Sequence, residues 1–135
     1  MTVIHIGQCL DSSKPHFADP SPVLFKFLPS VSASHKATFI EKLKTLGNLP
    51  CVVDKKLWVG SPSITTPIEK SQGYQIALVS FHQSRHALEE YQASSEHKSV
   101  TEEYLWPFKE DVVRFDFEVE GDGEGLARAF VGERA

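Results

Sequence analysis

Apolar residues follow two rhythms along this chain, and the switches between them give its layout. Val23-Leu24-Phe25-Lys26-Phe27-Leu28, Val52 to Gly60, Tyr74 to Phe81 and Val112 to Val119 are rich in β-branched and aromatic residues, the composition of strands. The last alternates most cleanly, with Val113, Phe115, Phe117 and Val119 on one face and Arg114, Asp116 and Glu118 on the other. Between the first two strands, Phe39, Ile40, Leu43 and Leu46 make a helical stripe over Ser32 to Leu46, with Ser32 as the cap and Gly47 as the stop. Ser84 opens a short helix carrying Ala87, Leu88 and Tyr91, and another helix starts near Ser95 and ends at Trp106, before Pro107. Gly60 to Gly73 holds two prolines and no steady period, so it is a loop.

The order β-α-β-β-α-α-β predicts an α+β chain: a ferredoxin-like, antiparallel four-stranded sheet with helices on one face. Its other face needs cover, because aromatic sheet faces are rarely left in water. Two copies packed face to face would form a dimeric α/β barrel, so a homodimer is expected. At 135 residues the chain has room for one core. Residues 23–119 are its domain, 1–22 an N-terminal extension or insertion, and 120–135 a tail that begins with the Gly/acid run Glu120 to Glu124.

Charge narrows the partners. Fourteen Lys and Arg against eighteen Asp and Glu give a net charge of -4, which argues against a nucleic-acid-binding face. Cys9 and Cys51 make neither a disulfide framework nor a motif of metal-ligand spacing, as expected of a reducing compartment. No apolar run is long enough to cross a bilayer and Met1 to Leu10 has no secretory pattern, so the expectation is a cytoplasmic protein without membrane contact.

Four pieces of sequence resemble the stress-responsive dimeric A/B barrel domain family. They are Val23-Leu24-Phe25-Lys26-Phe27 with Pro29 and the Ser32 helix; Gly73-Tyr74 leading into Ala77-Leu78-Val79-Ser80-Phe81; Leu88-Glu89-Glu90-Tyr91 with His97 six residues on; and Val112 to Phe117. The resemblance covers about residues 23 to 118 and implies a homodimer with a pocket between sheet and helices. It also implies two kinds of activity, since the family holds stress-induced proteins with no assigned reaction and a plant polyketide cyclase that closes its substrate by an aldol condensation. The cyclase's Tyr-x5-His step falls on Tyr91 and His97, its third-strand His on Gln75, and a Trp near its last strand on Lys109.

Family members begin with a His, a few apolar residues and then Lys-Phe. Here the match is split: joining Ile6 to Val23 would give Thr2-Val3-Ile4-His5-Ile6-Val23-Leu24-Phe25-Lys26-Phe27, with His5 at the family's first-strand position. The intervening Gly7 to Pro22 contains Pro15, Pro20 and Pro22, which a paired inner strand is not expected to tolerate. An insertion within the strand, such as a retained intron, and a genuine N-terminal extension are the two readings of that block.

The resemblance makes Tyr91, His97 and His5 the candidate catalytic residues. A neutral imidazole can take a proton from an activated carbon, and a phenol can meet the substrate oxygen, so an aldol-type closure of an apolar carbonyl compound would need no metal or cofactor. The same residues have a structural reading: His97, Val100, Thr101 and Tyr104 share one helical face, and Tyr91 can be core with its hydroxyl bonded to His97. Glu89 and Glu90 read as solvated, His82 and His86 lack a third metal ligand, Trp58 and Trp106 read as packing, and Lys26 faces opposite to Phe25 and Phe27. Two functions follow: a small polyketide cyclase-like enzyme, or a non-catalytic stress-responsive or ligand-binding homodimer.

Overall fold

Ser32 acts as the expected cap. Its hydroxyl accepts the amide of His35, and helix α1 runs Ala33–Thr45 until a 3-10 turn at Leu46–Asn48 ends it. Ser84 accepts from the Ala87 amide to start α2, Arg85–Ala93, and Ser94 accepts from the His97 amide to start α3, Ser95–Tyr104. This computed structural model describes residues 18–119; His5, Cys9 and the tail from Glu120 onward lie outside the described residues.

The strands are β1, Asp19–Phe27; β2, Leu57–Gly60; β3, Ile76–His82; and β4, Lys109–Arg114. They form one antiparallel sheet in the order β2-β3-β1-β4, the ferredoxin-like arrangement, with three helices on one face. Phe39 is wholly buried beneath the sheet, edge-on to Phe25 and Phe27 at 5.1 and 5.4 Å. Around it lie Leu43, Leu46, Leu57, Ile76, Leu78 and Leu88. His35 ties α1 to the end of α3 through the Tyr104 carbonyl at 2.9 Å.

Strand alternation produces two unlike faces. Leu57, Ser80 and Ser21 lie side by side toward the helices, with Asp116 bonded to Ser21 beyond them. On the other face Trp58, Val79 and Pro22 form a row that Phe115 extends, and Gly60, Ala77, Leu24 and Val113 form the next. Trp58 and Phe115 are 59% and 69% exposed on this bare face, so the apolar set of the last strand points outward.

The strand limits correct the sequence reading at three places. β2 starts at Leu57 instead of Val52 because Asp54 and Lys55 adopt left-handed φ values of 48° and 58°, breaking the extended chain into a 3-10 turn. β1 starts at Asp19, so Pro20 and Pro22 lie within an inner strand after all. Their carbonyls point toward the last strand, where they accept the amides of Phe117 and Phe115, and the N–H groups that proline lacks would point the same way. Pairing with β3 therefore loses nothing, since that side uses Asp19, Ser21, Val23 and Phe25. The cost falls on the last strand, whose regular ladder stops at Arg114 although extension to Val119 was expected. Asp19 completes this seam by accepting the Val119 amide on its carboxylate.

Candidate active site

A cavity of about 450 Å³ opens between the covered sheet face and helices α2 and α3. Val23, Phe25, Leu78 and Leu105 give it an apolar floor, while Tyr91, Gln92, His97, Lys109 and Arg114 supply its polar groups. Its size suits a small organic ligand. A larger groove of about 740 Å³ lies on the bare face against the 60–75 loop. It contains Gln75, which accepts the Ser63 amide and so is separated from the Tyr91 and His97 cavity. Volume alone would favour the groove, but the acid–base side chains are in the smaller cavity.

Tyr91 and His97 are brought together by the tight junction of α2 and α3. Ser94 closes one helix and caps the next, turning the chain so that the two rings meet edge to face at 5.0 Å. Burial pushes the His97 imidazole below its usual value, and the Arg114 guanidinium adds to the effect. The ring is therefore neutral and able to accept a proton near pH 7.

The structural reading of the sequence had the Tyr91 hydroxyl bonded to His97; what the structure gives is ring contact, with His97 at 5.0 Å and with His82 at 4.6 Å. Burial raises the pKa of the Tyr91 hydroxyl to about 12, with the neighbouring Ser80 side chain opposing the rise. Ser80 Oγ lies 2.8 Å from His82 Nε2, and His82 Nδ1 lies 2.7 Å from the Cys51 carbonyl oxygen. Ser80 and His82 are both wholly buried. Burial also lowers the His82 pKa, against the opposing pull of the Cys51 carbonyl and Asp116.

Ser21 donates to Asp116 at 2.6 Å, and Asp116 pairs with Arg114 at 3.2 Å at the cavity's edge. Ser21 is two residues before Val23, where the joined sequence would have placed His5. The Gln92 amide nitrogen is buried and has no hydrogen-bond partner among the described residues.

The remaining candidates separate. His82 uses both ring nitrogens within the core, whereas His86 pairs with Glu90 at 3.2 Å. Glu90 also accepts from the Cys51 thiol, and Glu89 is exposed. Lys26 sits over the Tyr74 ring, and Tyr74 donates to Asp111. Trp58 packs on Phe81 across the bare face, while Trp106 lies at the cavity. Ser80 and Gln92 were missed as site residues, and His82 was weighed only as a metal ligand. Period-two alternation places Ser80 and His82 on one strand face, but it does not show that the Tyr91 ring packs against His82.

Residues 22–119 match the family model of the stress responsive A/B barrel domain. No curated protein sequence matches the chain. Among solved structures, a dimeric ferredoxin-like protein of unknown function from Thermobifida fusca is 18% identical, with a TM-score of 0.63 over 77% of this chain and 92% of that one. A dabb family protein from Mesorhizobium loti with a ferredoxin-like fold is 15% identical, with a TM-score of 0.63 over 77% and 98%. The hydroxynitrile lyase of Passiflora edulis is 16% identical, with a TM-score of 0.67 over 79% and 96%.

Proposed function

Since the chain belongs to the stress-responsive A/B barrel domain family, we propose that it is a homodimer formed through the bare sheet face and that it performs acid–base chemistry on an apolar carbonyl compound, with polyketide cyclase-like aldol ring closure as the reaction. The observation that carries this reading is one cavity lined by a neutral imidazole, a phenol and an unpartnered amide donor: His97, Tyr91 and Gln92. His97 takes the proton from the carbon between two carbonyls. Gln92 donates to the oxygen on which the enolate charge gathers. Tyr91 meets the oxygen that gains or loses a proton as the ring closes. The apolar floor folds the substrate and brings its two ends together. The dimeric descriptions of structural relatives support pairing, and a hydroxynitrile lyase among them is in keeping with proton transfer at a substrate oxygen.

A linear poly-β-keto thioester of N-acetylcysteamine tests the proposal, with ring formation followed by absorbance. Turnover is expected in the wild type, and His97→Ala should lower it about 10²- to 10⁴-fold. Turnover unchanged by both His97→Ala and Tyr91→Phe would remove the pair from the mechanism. Binding without turnover would favour the second reading, a non-catalytic ligand-binding homodimer, which the burial of Tyr91 against the His82 ring supports.

A further inference from the structure

The last strand carries one extra residue opposite β1, and that residue determines which way a lysine points. Val23 pairs with Arg114 and Phe25 with Val112, but the register slips after Lys26, so that Phe27 stands opposite Lys109 and Glu110 is left over. Paired residues of antiparallel strands share a face, and a bulge shifts the residues beyond it to the other one. Without the slip Lys109 would turn to the bare face; with it, Lys109 joins Val112 and Arg114 along the cavity.

The other charges along that wall are matched. Arg114 is met by Asp116 at 3.2 Å. Asp111 also reaches the cavity wall, yet it pairs in register with Lys26 and accepts the Tyr74 hydroxyl, and Lys26 acts on it more strongly than Lys109 does. Lys26 in turn lies over the Tyr74 ring at 4.7 Å, so these three groups answer one another. Lys109 is half-buried and has no ion pair among the described residues. An ammonium partly withdrawn from water gains from a counterion, and an apolar chain can carry one to it.

We infer that Lys109 sets the specificity of the cavity by taking a carboxylate at one end of an apolar chain whose other end lies at His97. Arg114, opposite Val23, is close enough to act on His97, whereas Lys109 stands opposite Phe27, four residues along β1 or roughly 13 Å by strand rise. Phe25 and Val112 lie between them and suit the methylenes of such a chain. That this anion belongs to a substrate rests on the catalytic reading of the cavity, and it narrows the apolar carbonyl compound to one with a carboxylate remote from the carbon that loses its proton. No bond forms or breaks at Lys109, whose part is binding and alignment.

Hexanoate and hexanamide, alike in length and unlike in charge, test this in the full chain by NMR titration. The wild type should prefer the acid about fivefold, with shifts at Lys109, Leu105 and Trp106. Lys109→Gln should bring the acid-to-amide ratio near one, and Lys109→Arg should keep it. Lys42→Gln, at an exposed position of α1 outside the cavity, changes net charge equally and should leave the ratio as it is. No preference in the wild type, a preference that survives Lys109→Gln, an equal fall in Lys42→Gln, or shifts that miss Lys109 overturns the inference. Neither ligand reacts, so the two readings fail separately: acid preference without ring closure leaves the anion site and removes the catalysis, and ring closure without acid preference does the reverse.

Discussion

Across the covered face of the sheet run Leu57, Ser80 and Ser21 toward Asp116; across the bare face run Trp58, Val79 and Pro22 toward Phe115. The enclosed side holds hydroxyls, a carboxylate and a neutral histidine, and the exposed side holds aromatic and aliphatic groups. An isolated subunit would reverse that distribution, because burying polar groups costs free energy unless they are paired and exposing a large apolar patch forgoes burial. The contrast teaches that polar groups on the covered strands are enclosed where they find partners, while the apolar surface left bare is the one the proposed pairing would cover.

Four measurements break or sharpen this contrast. Phe39→Ala removes the wholly buried ring that packs on Phe25 and Phe27 and should cost about 3–5 kcal/mol of stability in chemical denaturation. Phe115→Asp should leave each subunit folded but weaken pairing by about 2 kcal/mol, or about 30-fold in dissociation constant by analytical ultracentrifugation. A stable single subunit in the wild type at high concentration would undo the contrast altogether.

Acid probes the covered face by itself. His82 and His97 are held below the ordinary imidazole value of 6.5, chiefly by burial, so the unfolded chain binds protons more readily than the folded one. Their contribution to stability is complete above pH 6.5 and is lost as the pH falls from there toward the lowered folded values. Denaturation midpoints at about pH 7.5 and 5.5 should differ in that direction, and His82→Gln should narrow the gap. The smallest effect belongs to Trp58→Ala measured under conditions where the subunits are separate, expected within about 0.5 kcal/mol of wild type. A loss as large as that of Phe39→Ala would mean that the bare face stabilises the lone subunit.

The sequence was most informative where chemistry is local. Ser32 and Ser84 stand at the caps assigned to them, since a cap depends on a few neighbouring residues. The β-α-β-β-α-α-β order was legible from hydrophobic period, and the ferredoxin-like sheet followed from it. Less legible was whatever depended on a partner distant in sequence. Pro20 and Pro22 argued against an inner strand until the direction of their carbonyls was known, and that direction is set by register with β3 and the last strand. Tyr91 and His97 are drawn together as the family resemblance implied, yet the Tyr91 ring also meets His82, a residue of another element. Gln92 carried no signal at all, because an amide without a partner is recognisable only once its surroundings are in place.

The paired prolines of β1 leave alternate rungs missing beside residues 115–117, where Phe115 and Phe117 each give a hydrogen bond without receiving one from proline in return. A half-runged ladder opens first where its remaining bonds are longest, here 3.3 Å at Phe117 against 3.1 Å at Phe115. Deuterium should therefore enter at Phe117 before Phe115, and at both before Leu24, which is held within the regular pairing of β1. The rim of this sheet thus has a built-in starting point for peeling, written by two imino acids on the neighbouring strand.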